Sequence, residues 1–126
     1  MAVKGVGVDI CSISRIREKI QKAEFKKKVF TEEEIVYADK HKTPERHYAS
    51  SFAAKEAFVK AGKWGIGKIG FKNVWVERTD NGPVLRFSQK VQELLEKEKI
   101  SGVHVSLSHD DGFAVAFVVI EEERGE

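Results

Sequence analysis

The chain has 126 residues, enough for one folded unit, and its 41% hydrophobic and 33% charged residues are those of a globular protein rather than of a disordered or collagenous one. The longest apolar run, residues 113–120, is far short of a membrane span, no basic segment followed by an apolar one opens the chain, and a lone Cys11 excludes an internal disulfide, so a reducing cytoplasm is the expected setting. The net charge of +2 is uneven: residues 1–30 carry eight basic and three acidic side chains, residues 64–126 eight and eleven, which points to a local patch for an acidic partner and not to general nucleic-acid binding.

Residues 3–10 alternate as a strand, with Val6, Val8 and Ile10 on one face and Gly5, Gly7 and Asp9 on the other. Two glycines on one face of a strand are tolerated where a ligand or another backbone approaches closely. Ser12 caps the helix that follows, whose apolar seam is Ile13, Ile16, Ile20 and Ala23; Arg15, Lys19, Lys22 and Lys26 recur at helical spacing as a basic stripe. Thr31 and Glu34 are spaced as a capping box, and Phe30 and Ile35 as a hydrophobic staple, so a second helix starts at Thr31 and ends near His41. Thr43 and Pro44 open a third helix running to about Gly62, and residues 62–70 read as a glycine-rich loop. Strands are expected at 71–78 and 84–87 around an Asp80-Asn81-Gly82-Pro83 hairpin turn. A Ser88-capped helix to about Lys99 follows, then strands at 103–107 and 113–120 around a polar turn, residues 108–112. The pattern describes an α+β single domain spanning residues 1–126, an antiparallel sheet packed by helices.

On the third helix Tyr48, Ala49, Phe52, Ala53, Ala57 and Val59 share a broad arc, and Glu56 and Lys60 fall in its middle. An i to i+4 ion pair is the ordinary reading of those two, but charges at the centre of an apolar arc need partners if buried. Asp9, ending the glycine-faced strand, is the other carboxylate in an unusual place. Nothing in the spacing shows that it meets Glu56, yet two carboxylates are the sparse oxygen ligation that suits Mg²⁺ completed by waters and substrate phosphates, with a lysine nearby for phosphate charge. Residues 62–68 have P-loop spacing, but Ile69 stands where a hydroxyl should bind the metal, and the histidines and Cys11 lack zinc-ligand spacing. His109, in the expected turn, reads by itself as a surface residue.

Three segments in order, Gly5-Val6-Gly7-Val8-Asp9-Ile10 with Ile13, Arg15 and Ile16, then Phe52-Ala53-Ala54-Lys55-Glu56-Ala57-Phe58-Val59-Lys60-Ala61, then Val105-Ser106-Leu107-Ser108-His109-Asp110, with Phe30-Thr31 and Glu34 between the first two, resemble the holo-acyl-carrier-protein synthases of the phosphopantetheinyl transferase superfamily. The resemblance spans essentially the whole chain and implies the 4′-phosphopantetheinyl transferase fold. It implies transfer of the phosphopantetheine arm of coenzyme A to a serine of apo-acyl-carrier protein, with release of adenosine 3′,5′-bisphosphate, in fatty acid biosynthesis. It makes Asp9 and Glu56 the Mg²⁺ ligands, Glu56 the candidate base and Lys60 the group that stabilises the leaving phosphate. His109 would contact the nucleotide at its 3′-phosphate, Arg15, Lys19 and Lys22 would dock the acidic carrier protein, and the chain would be a homotrimer with active sites shared between subunits. No nucleic-acid or membrane partner is implied. Two positions depart from the family pattern: the arginine usual before the Phe-Ala-x-Lys-Glu-Ala run is Ser51, with Arg46 a turn and a half earlier as its expected substitute, and a Gly-Lys-Pro turn is shortened to Gly82-Pro83. The competing class is a non-catalytic binding module whose basic first helix docks an acidic protein or RNA, with Glu56 and Lys60 a structural ion pair.

Overall fold

A computed structural model describes residues 1–123. In chain order the elements are β1 (Ala2–Ser12), α1 (Ile13–Lys19), α2 (Ala23–Val29), α3 (Glu32–Asp39), α4 (Pro44–Gly62), α5 (Ile66–Ile69), a 3₁₀ turn (Phe71–Asn73), β2 (Val74–Thr79), β3 (Gly82–Phe87), α6 (Gln89–Lys97), β4 (Ile100–Asp110) and β5 (Phe113–Glu122). The fold is α+β with antiparallel strands, as expected, but the strands divide between two sheets: β1-β5-β4 and the β2-β3 hairpin.

The 19-residue α4 lies across the inner face of the larger sheet. That face is built from small residues: Ala114, Ala116, Val118 and Ile120 on β5 are fully buried, and Gly5 and Gly7 on β1 face the helix with no side chain. A Cβ at Gly5 or Gly7 would collide with the backbone carbonyls of Ala61 or Ala57, so the close neighbour that the bare strand face anticipated is the backbone of α4. The pleat then turns Val6, Val8 and Ile10 outward, 55–63% exposed, beside Phe113 and Phe117 of β5.

The other side of α4 is covered by α1, α3 and β2, so its burial runs almost all the way round and a single apolar arc does not describe it. Lys55 is completely buried there. Its ammonium donates to the Phe71 and Val74 carbonyls at 2.8 and 2.6 Å and pairs with Glu34 at 2.8 Å. Glu34 also accepts from the backbone amides of Thr31 and Val76, both at 3.0 Å. The capping box at Thr31 forms as expected, and the same Glu34 carboxylate is the counter-ion of a buried lysine.

Several boundaries differ from expectation. The single helix after Ser12 is two, because α1 is anchored by Ile16 against β1 and α4 whereas α2 is anchored by Val29 beside the 3₁₀ turn, and the chain turns at residues 20–22 to serve both. Lys22 therefore leaves the stripe of Arg15 and Lys19 and becomes the N-cap residue of α2. The glycine-rich loop holds the short α5, drawn in by a buried Ile69, and β2 begins at Val74 after the 3₁₀ turn. The last turn shrinks to Asp111-Gly112, both at positive φ as a two-residue hairpin requires, which moves Ser108 and His109 into β4.

Adding a methyl group at Gly7 forces β1 off α4, and Gly7→Ala is expected to lose about 1–3 kcal/mol, the usual penalty of overpacking a tight contact. Urea unfolding reads this directly; an unchanged midpoint would show that the seam is loose.

Candidate active site

The glycine seam sets Asp9 against the C-terminal half of α4. The Lys60 ammonium lies 3.0 Å from Asp9 Oδ1 and donates to the Val8 carbonyl at 3.1 Å. Lys60 thus pairs across elements with Asp9, in place of the i to i+4 pairing with Glu56 weighed from the sequence. Its side chain is half exposed, with a stem free to move. Glu56, also partly exposed, is held above the ordinary carboxylate range by burial first and by the negative charge of Asp9 second, with Lys60 opposing. Asp9, Glu56 and Lys60, three residues from two distant segments, therefore share one electrostatic site.

This site is short of positive charge, since one ammonium faces two carboxylates. The donor set fits a hard divalent cation that takes only two protein ligands and keeps its other positions for water and phosphate oxygens. Among the described residues no group of three or more His, Cys, Asp or Glu side chains could hold a metal without such help. Cys11 is no ligand: burial, and next the Asp9 charge, push its thiol up to about 11.

Toward the N-terminal end of α4 a cavity of about 250 Å³ lies between that helix, β4 and the β2-β3 hairpin. Its lining includes Arg46, His47, Arg78, Pro83, Ser108 and His109. Cross-strand register places His109 opposite Ala114 and Ala114 opposite Cys11, one pleat step beyond the Asp9, Ala116 and Leu107 row. Arg46 and His109, paired in expectation only through the resemblance, thus line one cavity, and the structure adds His47 and Arg78. Burial first, then His41, Arg78, Arg46 and His109, lower the His47 pKa to about 4, so the ring is neutral at pH 7. Arg15 and Lys19 lie on α1; Lys19 and Lys22 flank a shallow hollow with Phe25, over whose ring the Lys19 ammonium sits at 5.6 Å.

The sequence pattern by itself assigns no role to Lys55, His47 or Arg78. For Lys55 a signal existed: Glu34 stands inside a capping box, and buried Glu34 needs a cation. Arg78 had none, because only the hairpin's packing against α4 aims it into the cavity.

A raised folded-state pKa means that the stability due to Glu56 is complete below the ordinary carboxylate range and is lost as pH rises through the raised value. Glu56→Gln, neutral throughout, is expected to melt above the wild type at pH 7, with the gap closing on acidification to about pH 4. Thermal unfolding across that range measures it, and a gap independent of pH would contradict the assignment.

The model of the 4′-phosphopantetheinyl transferase superfamily matches residues 5–118. Holo-[acyl-carrier-protein] synthase from Syntrophus aciditrophicus is 44% identical, over 94% of this chain and 96% of that protein. The synthase of Pseudoalteromonas atlantica is 40% identical, over 96% and 98%. Among solved structures, the holo-[acyl-carrier-protein] synthase of Neisseria meningitidis superposes with a TM-score of 0.87 at 34% identity, over 95% of this chain and 99% of that one. That of Bacillus anthracis, in complex with CoA (3′,5′-ADP), gives 0.81 at 35%, over 98% and 100%. With its glycine seam, paired carboxylates and near full-length correspondence to these proteins, the chain belongs to the 4′-phosphopantetheinyl transferase superfamily, among the holo-[acyl-carrier-protein] synthases.

Proposed function

We propose that the chain, acting over its whole length as one domain, transfers the 4′-phosphopantetheine arm of coenzyme A to a serine hydroxyl of an apo-acyl-carrier protein of fatty acid biosynthesis. The serine oxygen forms a bond to the phosphorus that bears the pantetheine arm, the pyrophosphate bridge breaks, and adenosine 3′,5′-bisphosphate leaves. The observation that carries this is the convergence of Asp9, Glu56 and Lys60 in a chain of this family.

Asp9 and Glu56 are the residues that would hold Mg²⁺. Bound there, the ion would neutralise charge on the phosphates of coenzyme A and so lower the barrier to their displacement. Glu56, made more basic than an ordinary carboxylate by burial and by Asp9, takes the serine proton, directly or through one water. Lys60 reaches the leaving phosphate on its half-exposed stem once Asp9 has another counter-charge. Arg46 and His109 bind the nucleotide from their cavity. Arg15, Lys19 and Lys22 form a basic margin that steers the acidic carrier protein, adding to encounter rate and orientation more than to affinity.

The outward-facing Val6, Val8, Ile10, Phe113 and Phe117 form an apolar sheet face that a second copy of the chain would cover, which supports the homotrimer with shared sites. No helix among the described residues is long and apolar enough to cross a membrane, and a reducing cytoplasm is the setting that the unpaired Cys11 suits. The binding-module reading has no use for a carboxylate pair lacking a matching charge, and it is not favoured.

Incubation of apo-acyl-carrier protein with this protein, coenzyme A and Mg²⁺ is expected to add one phosphopantetheine, read by mass spectrometry, and chelator is expected to abolish the gain. Asp9→Asn and Glu56→Gln should each lower the rate at least about a hundredfold while folding normally. Normal transfer by either variant would sink the metal assignment, and no transfer by the wild type to several carriers would return the weight to a binding module. Sedimentation should give three chains per particle, and Val8→Asp should yield monomers; a wild-type monomer at micromolar concentration would refute the assembly.

A further inference from the structure

The contact that seats β1 on α4 is backbone on backbone, with Gly5 and Gly7 against the carbonyls of Ala61 and Ala57. Such a seam fixes how closely the two elements approach. It does little to fix where one stands along the other, because the burial of apolar surface has no direction. Two lysines supply the direction. Lys60 reaches from α4 to the Val8 carbonyl and Asp9 of β1, and Lys4 reaches from β1 to the Gly62 carbonyl at the end of α4, at 3.2 Å.

Lys4 is aimed inward by a β-bulge. The register between β1 and β5 pairs Val3 with Glu121 and Gly5 with Ile120, so Lys4 is an extra residue in β1. Strict alternation would turn it outward with Val6 and Val8. Instead its side chain is only 20% exposed, and Val3 takes the outward place at 57%. The inward ammonium meets the Gly62 carbonyl, the Glu98 carboxylate at 3.4 Å and the face of Trp64 at 5.3 Å. Trp64 follows the left-handed Lys63 that ends α4; its amide donates to the Val59 carbonyl at 3.0 Å and its indole N–H to Glu98 at 3.1 Å. A Cβ at Gly62 would collide with the indole ring, so the ring lies directly on the last turn of the helix. The ammonium also complements the partial negative charge of that helix end.

We propose that Lys4, with Trp64 and Glu98, forms a latch at the C-terminal end of α4 that sets the axial position of the helix on β1, and so places Lys60 for transfer. The proposal rests on the transferase reading. Lys4 is a positioning residue: it stands at the opposite end of the glycine seam from Asp9 and acts through Lys60, two residues before the carbonyl it holds. Lys60 serves the leaving phosphate, so a loosened latch lowers kcat more than it raises KM for coenzyme A.

The test is transfer kinetics on the full chain for the wild type, Lys4→Met and Lys4→Arg, each also in a Lys60→Ala background, with melting curves to confirm folding. Lys4→Met keeps the stem and removes the ammonium; kcat should fall about three- to tenfold while KM for coenzyme A stays within about twofold. Lys4→Arg retains the charge and the donors and should restore at least about half of the wild-type kcat. In the Lys60→Ala background, Lys4→Met should cause no further loss, because the group it positions is gone. Should Lys4→Met melt below the assay temperature, Glu98→Gln keeps an acceptor for the indole, removes the charge facing Lys4, and should show the same loss with the same dependence on Lys60. An unchanged kcat, a loss confined to KM, no rescue by Lys4→Arg, or a loss undiminished in the Lys60→Ala background would each overturn the latch. Any of these in a protein whose wild type modifies the carrier protein refutes the latch alone, whereas a wild type that transfers nothing overturns the transferase reading and the latch with it.

Discussion

The approach of β1 to α4 is the constraint from which the rest follows, and it exists because Gly5 and Gly7 have no Cβ to hold the backbones apart. With the strand seated against the helix, Asp9 arrives beside Glu56 and within 3.0 Å of the Lys60 ammonium, although 47 residues separate the two carboxylates in the chain. The period of two along a strand then leaves no choice for the remaining residues. If the glycines and Asp9 face inward, Val6, Val8 and Ile10 must face out, and the strand that carries the Asp9 carboxylate also presents an apolar surface. The carboxylate and the exposed apolar surface are thereby two faces of one strand, and a shift of a single residue in register would exchange them.

On its opposite side α4 is held by the buried Lys55 and Glu34. A buried ion pair is weak evidence of net stability, since an apolar replacement of both partners is often neutral or better, but removing one partner typically costs about 3–5 kcal/mol. The value of this pair is positional. The three hydrogens of the ammonium are all used, two on the carbonyls of residues 71 and 74 and one on Glu34, which in turn holds the Val76 amide. The hairpin is thus fixed to the helix at the start of β2, four residues before Arg78, and the far end of the hairpin closes the cavity at Arg46 and His109.

The parts of this arrangement that were legible in the sequence are those written in short-range grammar. The capping box at Thr31, the proline that opens α4 and the glycine-faced strand each depend on residues within one turn or a few strand positions, and each forms. What failed depended on what lies across a gap. One helix was expected after Ser12 because the apolar spacing continues, but Ile16 and Val29 are buried against different elements and the chain breaks between them. A wheel drawn for α4 assumed one buried side, and this placed Lys60 in the interior and overlooked Lys55, whereas a helix covered on both sides buries Lys55 and leaves Lys60 half in water. Asp9 and Glu56 could be named as an odd pair from residue chemistry, and only the folded seam supplies their meeting.

The charge of the protein is arranged with more order than its net value of +2 conveys. One end of α4 has a surplus of negative charge, two carboxylates against Lys60, and the other end has a surplus of positive charge, Arg46 and Arg78 with no acid in the cavity. Neither surplus is comfortable by itself. Burial and the charge of Asp9 hold Glu56 above the ordinary carboxylate range, and an unpaired buried guanidinium edge adds its own desolvation cost. Lys60 is the one cation at the carboxylate end paired with Asp9 among the described residues. It neutralises Asp9 from across the seam and places a second hydrogen on the Val8 carbonyl, an acceptor that adds no charge.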